Sequence, residues 1–197
     1  MDLAALALTF GAIFVVELPD KTFLATLVLA TRYRPLLVWL GVGLAFAVQT
    51  GIAVALGQAA SLLPPEVVQG AAVVLFLVGA VLLVREGRSH QEAASGDEFS
   101  EKAPPATGWR AVLASFLVLF AAEWGDLSQL LTLSLVARYE APLEVFLGAL
   151  GALLTVSALA VIVGRSLLRV VPVHVLHYAG AVVCTALAVL TLVELLT

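Results

Sequence analysis

Cysteine, methionine, histidine and charge are all scarce in this chain of 197 residues, which has one Cys, one Met and three His. Cys184 alone cannot close an internal disulfide, so cysteine usage says nothing about redox compartment. Asp, Glu, Lys and Arg together make up only 12% of residues, against 62% hydrophobic, and the mean hydropathy is +1.10. A soluble core of this length cannot hide so much apolar side chain. A formal charge of −4 with ten scattered basic residues gives nucleic acid no patch to bind. No Ser/His or Cys/His pair falls at matching depth in the apolar runs, which excludes the common nucleophilic chemistries. The N-terminus has no basic stretch before Leu3 and no small-residue cleavage site before Glu17, so it reads as a first membrane span and not as a signal sequence.

What is present is apolar sequence in long windows. Runs of the roughly 20 residues needed to cross a bilayer cover 3–31, 36–60, 67–86, 109–137, 143–168 and 173–196. They predict an all-α polytopic membrane protein with six transmembrane helices. Arg32, Arg34, Arg85, Arg88, Lys102, Arg110, Arg165 and Arg169 share one side of that arrangement, while only Arg138 lies on the other. The positive-inside bias makes the crowded side cytoplasmic and leaves both termini on the non-cytoplasmic side. The expected location is a bacterial inner membrane.

The polar stretch 87–108 reads as a cytoplasmic linker, and the segments it separates, 1–86 and 109–197, resemble each other. Glu17-x-x-Asp20-x-Thr22 matches Glu123-x-x-Asp126-x-Ser128 at an offset of 106, and Arg32-Tyr33 matches Arg138-Tyr139 at the same offset. Pro35 then pairs with Pro142 and Gly41 with Gly148, the offset having drifted by one. Each half holds three spans, an odd number, so the second must enter the membrane in the opposite sense. Inverted repeats of this kind are the plan of many secondary transporters, with the substrate held near the midplane where the halves meet.

Four carboxylates fall at that depth: Glu17, Asp20, Glu123 and Asp126. A charge at the bilayer centre costs at least ~2.5–3.5 kcal/mol, so each needs a function or a partner. On a regular helix the i, i+3 spacing places each Glu and its Asp on one face. Two such helices crossing at mid-membrane would bring four carboxylates into one small volume. Oxygen donors in that number suit a hard divalent cation such as Ca²⁺ or Mn²⁺, and no Cys, Met or His lies nearby to favour a softer metal. Protons would compete with the metal for the same oxygens, so alternating access to the site would exchange one for the other. Thr22, Ser128, Gln129 and, from the second span, Gln49 are candidate accessory ligands, although a regular helix points Thr22 and Ser128 away from the carboxylate face. Lys21, four residues after Glu17, is a candidate counter-charge and coupling residue. Pro19 lacks an N–H and favours a kink, and Gly125 at the matching place permits unwinding, so both are expected helix breaks.

The duplicated motif resembles that of uncharacterised protein family 0016, which includes the Golgi-type Ca²⁺/Mn²⁺:H⁺ exchangers and bacterial manganese exporters. Glu17, Asp20, Lys21 and Thr22 match its first copy; Glu123, Gly125, Asp126 and Ser128 match its second. Two positions depart, Pro19 for the first glycine and Leu127 for the second basic residue. The resemblance covers nearly the whole chain. It implies a cation/proton antiporter and not an enzyme, exporting metal from the cytoplasm, with the motif acids as metal ligands, Mn²⁺ or Ca²⁺ as transported substrate and no prosthetic group. Self-association into a homo-oligomer is compatible with this reading.

Two other classes compete. An exporter of a small organic cation or amino acid could share the six-helix plan, although four acids and one Lys are densely anionic for a zwitterion. An intramembrane aspartyl protease would place Asp20 and Asp126 on facing helices, but Glu123 stands where the first glycine of its Gly-x-Gly-Asp pattern belongs.

Overall fold

The computed structural model describes residues 2–18, 21–88, 106–170 and 173–196. These form eight helices: α1 (Leu3–Glu17), α2 (Lys21–Arg32), α3 (Pro35–Ala60), α4 (Pro65–Arg88), α5 (Trp109–Ala122), α6 (Leu127–Tyr139), α7 (Pro142–Val170) and α8 (Val173–Leu196). Pro19, Asp20 and linker residues 89–105 lie outside the described residues, as does the side chain of Lys21.

Local chemistry sets the helix starts. The Asp2 carboxylate accepts hydrogen bonds from the backbone N–H groups of Ala4 and Ala5 at 3.0 and 3.1 Å, satisfying two of the donors that the first turn of α1 leaves over. Helices α3 and α7 each begin on a proline, Pro35 and Pro142, whose missing N–H costs nothing at that position.

Along α3 the two faces have opposite roles. Leu36, Leu40, Leu44, Val48, Ile52 and Leu56 form an exposed apolar stripe with a four-residue repeat. Gly41, Ala45, Gln49, Thr50, Ala53 and Gly57 are buried on the other side. Apolar outside with small and polar residues inside is the pattern of a helix whose solvent is lipid.

Three helical segments are long and apolar enough to cross a membrane: Pro35–Ala60, Glu66–Arg85 and Pro142–Ile162. Two further candidates are bent pairs, Leu3–Glu17 with Thr22–Arg32 at 69° and Trp109–Ala122 with Leu127–Tyr139 at 73°, giving three to five spans among the described residues. The sixth expected window coincides with α8, whose described apolar stretch is the shorter Gly180–Val193. The expectation of single kinked helices over 3–31 and 109–137 is therefore corrected: each is two helices. The reason is local. Gly125 sits at φ +76°, a left-handed conformation that ends one helix before the next begins.

Packing follows a crosswise scheme, with α1 against α7, α5 against α3, α3 against α7 and α4 against α8. The first two crossings are close. A Cβ added at Gly41 would meet the Val112 carbonyl, the Ser115 Cβ at 2.8 Å and the Phe116 nitrogen at 3.1 Å. One added at Gly148 would meet the Leu6 carbonyl at 2.6 Å, the Thr9 Cβ at 3.0 Å and the Phe10 nitrogen at 3.2 Å. Glycine is what lets these backbones touch. One turn on from each crossing, Phe10 stacks on Phe14 with ring centroids 5.8 Å apart, and Phe116 on Phe120 at 5.4 Å.

Candidate functional site

Both helix interruptions carry the acidic motif. In the second, Glu123 caps the C-terminus of α5, its N–H bonded to the Leu119 carbonyl at 2.9 Å, and Asp126 occupies the N-cap position of α6. The Asp126 N–H donates to the Glu123 carbonyl at 3.2 Å and closes the turn. The i, i+3 argument is corrected accordingly. Glu123 and Asp126 meet across a turn between two helices and not on one helical face. The same holds for Glu17 and Lys21, which end α1 and begin α2, so they are not an i, i+4 pair of one helix.

The turns bring acids from the two halves together. Glu17, Glu123 and Asp126 each offer a carboxylate oxygen within 4.8 Å of the other two, Glu17 and Glu123 being buried and Asp126 half-buried. Oxygens on opposite sides of a Ca²⁺ ion bound at about 2.3–2.6 Å stand about 4.6–5.2 Å apart, so this spacing suits one ion shared by all three. The helix ends act in the same sense. The C-termini of α1 and α5 carry partial negative charge and favour a cation, while the N-terminus of α6 favours the Asp126 carboxylate.

Polar side chains from α3 and α6 lie beside Glu123. A cavity of about 10 Å³ is lined by Phe46, Gln49, Thr50, Glu123, Ser128, Gln129, Thr132 and Leu153. It has room for about one water-sized sphere. Ser128 is thus brought beside Glu123, contrary to the orientation a continuous helix would impose. The Thr22 hydroxyl is buried with no hydrogen-bond partner among the described residues. Such a hydroxyl costs about 1–3 kcal/mol unless an ion or water satisfies it.

Gln129 does something the motif alone does not reveal. Its amide nitrogen donates to the Glu123 carbonyl at 2.6 Å, and its amide oxygen accepts from the Gly125 N–H at 3.2 Å, so one side chain spans the turn. Gln49, on α3, donates to the Phe120 carbonyl at 3.0 Å, in the last turn before the break. The available signal was a mismatch in the repeat: the positions matching Gln129 and Gln49 in the other half are Phe23 and Val156.

Comparison with known proteins gives a concordant result. Residues 5–91 and 111–197 match the family model described as divalent cation/proton antiporter GDT1. The chain is similar to a GDT1-like protein of Synechocystis, 34% identical over 68% of this chain and 72% of that one. It is also similar to the chloroplastic GDT1-like protein 1 of Oryza sativa, 31% identical over 96% of this chain. A third relative is a Vibrio cholerae protein named "Putative manganese exporter", 30% identical over 83% of this chain and 78% of that one. The chain spans 62% of the length of the rice relative. No solved structure matches. These findings support neither an organic-cation exporter nor an aspartyl protease.

Proposed function

The chain belongs to the GDT1 family of divalent cation/proton antiporters, transporters and not enzymes, and from that premise we propose that it exports Mn²⁺ or Ca²⁺ from the cytoplasm in exchange for protons. The observation that carries this reading is the approach of Glu17, Glu123 and Asp126 within 4.8 Å at the meeting of two broken helices. Asp20, the fourth motif acid, completes the proposed ligand set. The Thr22 and Ser128 hydroxyls and water supply neutral oxygens toward the 6–8 that Ca²⁺ takes. Lys21 and Gln129 act as coupling or accessory groups around them.

Exchange follows from competition for one set of oxygens. With the metal bound, the carboxylates are ionised and the cation's charge balances them. When the metal leaves, protons take its place, because three bare carboxylates so close together repel one another. Alternating access around such a site carries metal one way and protons the other.

The proposed frame is six spans in two inverted repeats, 1–86 and 109–197, joined by the cytoplasmic linker 87–108, with both termini outside. The matched crossings support it: Gly41 meets Val112, Ser115 and Phe116, and Gly148 meets Leu6, Thr9 and Phe10, the same contacts displaced by one repeat. In a bacterium the membrane concerned is the inner one, as the similarity to the Vibrio protein suggests; homo-oligomerisation is compatible with this frame. Proton flux driven by Mn²⁺ or Ca²⁺ in reconstituted vesicles tests the function. Metal-dependent flux that vanishes in Glu123→Gln supports it, and a correctly inserted wild-type protein that moves no protons on metal addition contradicts it.

A further inference from the structure

The two helix breaks occupy matching places in the repeat, yet the side chains that seat them differ in kind. Around the second, Gln129 bridges the Glu123 carbonyl and the Gly125 N–H, and Gln49 holds the Phe120 carbonyl. At the matching positions stand Phe23 in the first half and Val156 in the second, which have no side-chain donor or acceptor. These two are buried in one apolar cluster with Ala160, packed by Phe14, Leu18 and Leu159. Each polar residue has an apolar match in the opposite half; the two polar ones meet the second break, and the two apolar ones share one cluster with Leu18. Gln129 commits both ends of its amide to backbone, and Gln49 commits its nitrogen.

Resting on the antiporter reading above, we propose that Gln129, assisted by Gln49, is a positioning residue that locks the second break. Glu123 and Asp126 are then held in ligand geometry before the cation arrives. Hydrogen bonds are directional and fix a turn; apolar contacts between Phe23, Val156 and Leu18 do not. Gln129 is accordingly a determinant of metal affinity that acts through Glu123 and Gly125.

Amide hydrogen exchange on the purified full chain without metal tests the lock directly, using Gln129→Met and Gln49→Met, which keep length and remove the amide. Exchange at Gly125 is expected to rise about tenfold in Gln129→Met, and less in Gln49→Met, with residues 15–24 unchanged. In vesicles, the half-saturating Mn²⁺ concentration of Gln129→Met is expected to rise about tenfold, as for other groups that orient metal ligands. A merely structural role would lower the amount of folded protein and leave half-saturation unchanged. Wild-type exchange at Gly125 in both variants overturns the proposal, as does lowered turnover with unaltered half-saturation. Wild-type vesicles without Mn²⁺-driven proton flux would count against the antiporter reading alone, since exchange at Gly125 is read without metal and still decides the lock. If Gln129→Met is not recovered folded, Gln49→Met decides.

Discussion

The break after Glu17 and the break after Glu123 bend their helix pairs by nearly the same angle, 69° and 73°, but their surroundings differ. Around the first, Phe23 and Val156 are packed in an apolar cluster; around the second, Gln129 and Gln49 hydrogen-bond the backbone. The residues at the breaks differ as well, Pro19 against Gly125 and Lys21 against Leu127. The repeat thus supplies matching acids, while differences at a few positions give the two breaks different surroundings. Symmetry accounts for where the ligands are. The asymmetry bears on how the second break is held.

The largest effects test the part of the comparison that is equal. Glu17→Gln and Glu123→Gln are each expected to lower Mn²⁺-driven proton flux by more than about 100-fold, beyond the 10–100-fold typical of groups that only orient ligands. Near-normal flux in either variant would remove that acid from the site. The crossing glycines come next. Gly41→Ala is expected to destabilise the folded protein by about 1–3 kcal/mol through overpacking against rigid backbone. Gly148→Ala should cost less, because its Cβ would sit 3.0 Å from Thr9 where that at Gly41 sits 2.8 Å from Ser115. Thermal unfolding in detergent measures both, and the reverse order would show that the two crossings are not packed as the distances indicate. Smallest is Gly79→Ala, whose Cβ would meet the tip of the Leu127 side chain at 2.6 Å. A leucine methyl can turn aside, so the expected cost is under about 1 kcal/mol. A larger loss would mean that Leu127, the residue standing in for a basic one, is wedged against α4.

Much of the fold is legible in the sequence because the lipid imposes long apolar windows, and the described residues of all six windows are helical apart from Leu18 and the turn 123–126. The repeat is legible because Pro35 and Pro142 start matching helices and Gly41 and Gly148 meet matching partners. The second break was foreshadowed by Gly125, since a glycine readily takes the left-handed conformation in which helices commonly end. What the sequence concealed followed from treating α1–α2 and α5–α6 as continuous. Helical periodicity put Glu123 and Asp126 on one face and turned Ser128 away, whereas a turn between two helices brings all three to one place. Gln129 was legible as polar and close to the acids, but not as a bridge across the turn, because that bond needs the turn to exist first. Asp20 and Pro19 lie outside the described residues, so the first break is known through Glu17, Leu18 and Thr22.

Anomalous scattering from Mn²⁺-soaked crystals, recorded at the manganese edge, bears most directly on the central claim that acids from both halves hold one ion. The account predicts a single intramembrane peak touching carboxylate oxygens of Glu17, Glu123 and Asp126 together. A peak held by one half alone, or one placed away from both breaks, would contradict it.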